Sequence, residues 1–348
     1  MQVPEGRLQQ KQKPIGPLWP LAILNQEQRA QSGGTVTPVV SNTAAKAESG
    51  STQSFDQNGQ TLIFRGNVAR TGYSGGGSPK ELQELWIFNE PNTLFLSSPL
   101  VAGDAVLGAS AFLDPARSYG SVFRLDASSG EPAWVTELKD PAGVEKFYGF
   151  FSSPALSPDK SRLLIGQGLH FDAGIELLCL DAETGRVLWK LPTPLHIESS
   201  PAIEGDIVVA GAGAIEHAPD QKPKGDPAGE GHPGYVFAAR ISTGEDVWRY
   251  QVNDPEGSPA IQDGVVYIGS GNNGSAVVAL RLASDEDLKA VGQDRLLWKS
   301  ETPFPATGAV SLVDELVLIG CGNGDYVYAA PNPEGAVLAF DQSSGEEL

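Results

Sequence analysis

The chain is short of cysteine, of cations and of long apolar runs, and each shortage excludes something. Cys179 and Cys321 are the only cysteines in 348 residues, inside ELLCLD and LIGCGNG. Both stretches are apolar and belong to different parts of the chain, so buried reduced thiols are expected rather than a disulfide framework. Lys and Arg number 24 against 43 Asp and Glu, a net charge of -19. That balance argues against a nucleic-acid backbone or an anionic membrane as main partner. It suits a solvated acidic surface, or one that attracts cations. No apolar run approaches the length of a transmembrane helix. A Gly-x-Ser-x-Gly elbow, a phosphate loop and a His-Glu-x-x-His pair are all missing.

What is present is a repeat. Residues 152–189 (SSPALSPDKSRLLIGQGLHFDAGIELLCLDAETGRVLW) read as four short strands with tight turns, and near copies flank them. Each copy opens on Ser-Pro (Ser98-Pro99, Ser153-Pro154, Ser200-Pro201, Ser258-Pro259). A proline at a strand start lacks only a donor that need not be paired there. An apolar second strand follows and ends in spaced glycines, as in LLIGQG, VVAGAG, VYIGSG and VLIGCG. These glycines read as lining a tight channel or blade contact. After a third strand, Asp-x-x-Ser/Thr-Gly leads into a tryptophan strand, as in DASSGEPAW (Asp126, Gly130, Trp134) and DAETGRVLW (Asp181, Gly185, Trp189). The Asp caps the turn and the Gly supplies the φ > 0 residue of a bulged hairpin. The tryptophan offers an apolar plate to the next repeat.

Trp86, Trp134, Trp189, Trp248 and Trp298 lie 48, 55, 59 and 50 residues apart, by difference of their positions. A four-stranded unit of about 40–50 residues is a propeller blade. The expected fold is therefore all-β: a β-propeller of four-stranded antiparallel blades, with about five repeats visible. Ring closure stays open at this stage. ELWIFN (residues 84–89) matches a fourth strand with no first three before it, and the fifth repeat reaches DQSSGEEL where its tryptophan strand should continue. Either the Trp86 strand completes the last blade or further blades exist, and a break inside a strand favours the second.

Ahead of the propeller (residues 61–348), residues 1–30 carry Lys11 and Lys13 before the apolar run PIGPLWPLAIL. They resemble the basic and hydrophobic parts of a secretory signal, although no small-residue cleavage site follows. Residues 31–60, rich in Ser, Thr, Gly, Ala and Gln, read as a disordered linker.

The Asp-x-x-Thr-Gly-x-x-x-Trp close resembles the pyrroloquinoline-quinone-type (PQQ-like) propeller repeat. FRGNVARTGYS (residues 64–74) resembles the lead-in of bacterial envelope propellers of this kind. The family includes quinoprotein alcohol dehydrogenases and the non-catalytic propeller lipoprotein of the outer-membrane β-barrel assembly machinery. For the enzymes, the resemblance implies a quinone stacked between a tryptophan and a disulfide of adjacent cysteines, Ca²⁺ held by carboxylates and amides, and an Asp base. This chain has no adjacent cysteines and no Cys-x-x-Cys-His, and Arg240-Ile241-Ser242 and residues 281–294 depart from the turn motif. No catalytic residue is carried across. The resemblance implies a periplasmic, envelope or secreted location.

Strands alternate in direction along a blade, so the loop between second and third strands shares a face with the connection to the next blade. On that face lie His170, His196, His217 and His232, the longest insertion (residues 214–234), Asp172, Asn272, Asn273 and Asp325. The histidines are the candidate metal ligands: imidazole with carboxylate suits Zn²⁺ or another transition ion, and carboxylates with amides suit Ca²⁺. The competing reading is that polar loops simply hold solvated histidines and turn-capping aspartates. The function expected is a non-catalytic extracytoplasmic binding or assembly scaffold for a protein partner or a small polar ligand. The alternative is a PQQ- or metal-dependent oxidoreductase with a site on this face.

Overall fold

A Ser-Pro step can start a strand but not extend it backwards, and in the computed structural model a short inner strand begins just after each one. The structure describes residues 62–72, 81–90, 92–114, 117–139, 149–168, 175–213, 234–271, 274–323 and 332–348. All of these fall in one compact unit, residues 53–325 and 329–348. The segments at 1–30 and 31–60 lie outside the described residues.

Five sheets follow one another along the chain. The first holds β1 (Thr93–Leu94), β2 (Leu100–Ala102), β3 (Ala105–Asp114), β4 (Arg117–Asp126) and β5 (Pro132–Lys139). The second runs β6 (Ala155–Leu156), β7 (Arg162–Gly166), β8 (Ile175–Asp181), β9 (Val187–Thr193). The third runs β10 (Ala202–Glu204), β11 (Ile207–Ala212), β12 (Tyr235–Arg240), β13 (Asp246–Gln251). The fourth runs β14 (Ala260–Gln262), β15 (Val265–Gly269), β16 (Ala276–Arg281), β17 (Leu296–Glu301). The fifth holds β18 (Ser311–Val313), β19 (Leu316–Gly322) and β20 (Gly335–Asp341). Every ladder is antiparallel, all but that of β1 with β3 join neighbours in sequence, and the chain is a β-propeller in its described part. The expected bulge is present before Trp134, Trp189, Trp248 and Trp298, at Arg124/Leu125, Cys179/Leu180, Ala238/Ala239 and Ala279/Leu280.

Each tryptophan joins its blade to the next in two ways. The indole N–H donates to a carbonyl one blade on: Trp86 to Ala127 at 2.9 Å, Trp134 to Ala182 at 3.3 Å, Trp189 to Ile241 at 2.9 Å, Trp248 to Leu282 at 3.0 Å and Trp298 to Gln342 at 2.9 Å. The ring lies on the turn glycine of the blade it meets or, at Trp248, against Arg295. A Cβ on Gly130 (φ 73°) or Gly185 (φ 70°) would press into Trp86 or Trp134. Asp126, Asp181 and Asp341 each accept two backbone N–H groups in these turns. Serine hydroxyls add to this and draw the Asp126 and Asp341 carboxyls down to about 2.

Two departures from the motif are repaired locally. In the third sheet Asp206, from the preceding hairpin, accepts the Ser242 N–H at 2.8 Å where the turn Asp is missing. In the fourth sheet the turn is replaced by a helix the sequence reading did not anticipate, α1 (Asp285–Val291). Its caps were legible: Ser284 accepts the Asp287 N–H at 3.2 Å, three acidic residues fill the first turn, and Gly292 is left-handed at φ 65°. Arg295 then stacks on Trp248, 4.2 Å from the ring centroid, where the other blades use a glycine. Cys179 and Cys321 are free and buried, as expected, and burial pushes the Cys179 thiol up to about 12.

The inner strands are bound together by residues 62–72. Leu156 of β6, Ile261 of β14 and Leu312 of β18 donate their N–H groups to Leu62, Val68 and Ala69. Arg70 is fully buried, and its guanidinium donates to the carbonyls of Pro259, Phe64 (3.1 Å), Ser200 (2.7 Å) and Pro201 (3.1 Å). Ser311 returns a hydrogen bond to the Arg70 carbonyl at 2.9 Å. Burial pushes the Arg70 pKa down to about 9, with Arg65 adding to it, so the group stays cationic at pH 7. Apolar residues of the same segment pack into all three core clusters: Ile63 and Val68 in one, Leu62 and Ala69 in the others.

Residues 81–90 form no ladder with β20. Leu348 itself donates to the Ala339 carbonyl at 3.0 Å, beside β20. Residues 84–89, read from the sequence as a fourth strand, thus form no strand in the structure, while Trp86 still makes the expected contact with the first blade.

Two measurements test this frame. Replacing Arg70 by Met strands buried carbonyls on two blades and lowers unfolding free energy by about 3 kcal/mol or more in denaturant titrations. Arg70→Lys recovers little of that, because one ammonium cannot span the fork of carbonyls. Asp126→Asn and Asp341→Asn carry a stability cost that is full above pH 4. These carboxyls titrate below their ordinary 3.8 in the folded state. The difference from wild type therefore shrinks as pH falls through about 2, which acid-dependent denaturation curves measure.

Candidate functional site

The face expected to carry function is built on the spaced glycines. Each connection leaves the outer strand of one blade and crosses the end of that blade's second strand on its way to the next Ser-Pro step. A Cβ on Gly166 would overlap Ile197, one on Gly211 the Pro255 carbonyl, and one on Gly269 the Ala306 carbonyl. Ile197, Pro255 and Ala306 hold the same place in successive repeats. The connection then pairs with the second strand of the blade ahead: Gly168 N–H with Gly149 O (3.0 Å), Gly213 with His196 (3.0 Å), Gly322 with Pro305 (3.0 Å). The glycines are thus blade contacts, as read from the sequence. The Ser-Pro steps add a relay between blades, with Ser153, Ser200 and Ser258 hydroxyls accepting the N–H of Ser98, Ser153 and Ser200 at 2.9, 3.0 and 3.0 Å.

Of the four histidines, His170, His217 and His232 lie outside the described residues, as do residues 214–233, Asp172, Asn272, Asn273 and Asp325. His196 is described, and it is not solvated. Its side chain is fully buried, which overturns the solvated reading for this residue. Its Nε2 lies 3.3 Å from Glu256 Oε1, and Asp254 joins them. One ligand atom from each of the three falls within 4.8 Å of the others. Asp254 is fully buried, and the Glu256 side chain is 11% exposed.

Consecutive connections supply this cluster, and it sits at the end of β11. A Cβ on Gly213 would overlap His196 Nε2 and come within 2.8 Å of Asp254 Oδ1. Asp254 is held by its N–H to Ser270 O at 2.7 Å, and Glu256 by its N–H to Asp254 O at 2.8 Å. The same two connections meet again just beyond, where Ser199 Oγ donates to Gly257 O at 3.1 Å. There Arg70 also bridges Ser200, Pro201 and Pro259. Sequence reading missed Asp254 and Glu256. The signal was phase: HIESSP (residues 196–201) and DPEGSP (residues 254–259) are equivalent stretches, placing Asp254 at the His196 position.

A second feature is apolar. Between residues 81–90 and the first blade lies a cavity of about 200 Å³ lined by Trp86, Phe88, Phe95, Pro99, Gly108 and Phe123. Phe88 and Phe95 pack on Phe123 with centroids 4.9 and 6.0 Å away. Its polar lining groups are already engaged: Ser97 Oγ, which also lines it, donates to Ala109 O at 3.0 Å and the Trp86 indole N–H to Ala127 O.

Comparison with known proteins gives three findings. The family model described as outer membrane protein assembly factor BamB matches residues 118–226 and 199–348. The outer membrane protein assembly factor BamB of Shewanella oneidensis is 27% identical over 195 residues, which is 51% of this chain and 43% of that protein. The chain thus spans less than half the length of that curated relative. Among solved structures, a europium-containing methanol dehydrogenase superposes with TM-score 0.52 at 15% identity, covering 84% of this chain and 58% of that one. BamB from Moraxella catarrhalis gives 0.46 at 16% identity, covering 75% and 78%. At these identities the first shows a common fold and nothing about chemistry.

The glycine ridge carries its own test. Gly211→Ala drives a methyl into the Pro255 carbonyl and costs about 1–3 kcal/mol by overpacking. Gly320 holds the same place in the fifth blade with nothing within 4 Å of its Cβ position. Gly320→Ala is therefore within about 0.5 kcal/mol of wild type, as paired thermal unfolding would register.

Proposed function

Because the chain belongs to the outer membrane protein assembly factor BamB family, we propose that it is a non-catalytic scaffold of the bacterial cell envelope, working on the periplasmic side in outer-membrane protein assembly. Its partners under this reading are proteins. The observation that carries it is where the repeat's defining groups are engaged. All five indole N–H groups, the rings above the turn glycines and the turn aspartates serve contacts within or between blades. That use builds a rigid platform and leaves the repeat motif with no ligand to hold. The two buried cysteines, on β8 and β19, offer no adjacent pair against which a quinone could stack. Among the described residues no helix is long and apolar enough to cross a membrane.

A second reading, a PQQ- or metal-dependent oxidoreductase, draws on one observation: a buried His, Asp and Glu meet on the face where the sequence placed a site. One pair of experiments separates the two. Deleting the gene from its host is expected to lower the content of outer-membrane β-barrel proteins, with wild-type chain restoring it. Adding Ca²⁺ and pyrroloquinoline quinone to purified chain is expected to leave no bound quinone absorption. Unchanged outer-membrane protein content, together with a retained quinone band and alcohol-dependent dye reduction, would reverse the assignment.

A further inference from the structure

We propose that His196, Asp254 and Glu256 form a binding site for a single divalent transition-metal ion of the Zn²⁺ class. The inference is independent of the scaffold reading, since a structural ion serves a platform as well as an enzyme. Three donors of the right kinds, one imidazole nitrogen and two carboxylate oxygens, lie within 4.8 Å of one another. They come from two connections whose backbones are fixed on both sides. His196 O accepts the Gly213 N–H, and the Asp254 N–H donates to Ser270 O. The donors are therefore held in place by the blade contacts themselves.

The charge balance points the same way. Asp254 is fully buried and Glu256 nearly so. Two carboxylates this close and this dry repel each other, and a cation among them relieves that repulsion. A divalent cation neutralises both and accepts the imidazole lone pair as well. The donor set then narrows the ion. Ca²⁺ takes six to eight oxygens, which a single imidazole with two carboxylates does not offer. Nitrogen with carboxylate oxygen suits Zn²⁺ and its first-row neighbours. The described residues supply three donors, and a tetrahedral ion takes its fourth from water or another ligand. Bound there, the ion would fasten the connection into the third blade to the connection into the fourth. Those are the same two segments that Arg70 holds through Ser200, Pro201 and Pro259.

The test uses the full chain, stripped with chelator and titrated with ZnCl₂ by calorimetry, with thermal unfolding recorded with and without the ion. Wild type is expected to bind one Zn²⁺ per chain and to unfold at higher temperature when loaded. A triple variant His170→Ala, His217→Ala, His232→Ala is expected to keep that site. Asp254→Asn and Glu256→Gln are each expected to weaken binding at least tenfold. Glu256→Gln decides alone if Asp254→Asn does not fold, because its side chain reaches solvent. Absence of stoichiometric binding in wild type overturns the proposal. So does binding that survives in Glu256→Gln and disappears in the triple variant, which would move the ion to the loop histidines.

Discussion

The inner strand of a propeller blade has one edge paired to its own second strand and one edge facing the axis. Backbone groups on that second edge must find partners or remain in contact with water. Here residues 62–72 supply the partners. Their carbonyls take the N–H groups of Leu156, Ile261 and Leu312, and the Arg70 guanidinium takes carbonyls from the steps into the third and fourth blades. A buried cation without a carboxylate is costly by itself. It is tolerated because four carbonyl dipoles point at it, two of them from a different blade than the third. Everything farther from the axis, including the serine relay and the tryptophan contacts, assumes inner strands fixed in this way.

The top face inherits its geometry from the same steps. His196 lies four residues before Ser200, and Asp254 lies in the equivalent place before Ser258. Fixing the Ser-Pro steps fixes the connections, and the connections bring an imidazole and two carboxylates within 4.8 Å of one another, His196 and Asp254 lying over Gly213. Among the described residues, the geometry of this face therefore rests on blade packing.

Periodicity made most of the frame legible from sequence. Five tryptophans in phase with Ser-Pro steps and Asp-to-Gly turns gave the blades, their bulged hairpins and their mutual contacts, because each residue does the same work in each copy. What escaped were non-repeating solutions. Arg295 on Trp248 and Asp206 at Ser242 are substitutes that no copy shares. Arg70 is a single residue, three of whose four carbonyl partners lie 130 to 189 positions away. His196 looked like one more loop histidine because burial depends on Gly168 and Gly213, which pattern alone assigned to blade contact. Asp254 and Glu256 fall between two repeats, in a stretch to which the repeat pattern assigns nothing before Ser258-Pro259.

The central claim, that residues 62–72 tie together the inner strands of the second, fourth and fifth blades, is tested most directly by native-state hydrogen exchange at Leu156, Ile261 and Leu312. If the account is right, these three amides exchange only through global unfolding, with the same free energy as Leu164 and Val209 in the blade cores. Exchange at loop-like rates while the core amides stay protected would mean that the segment detaches without consequence, and the account would fail.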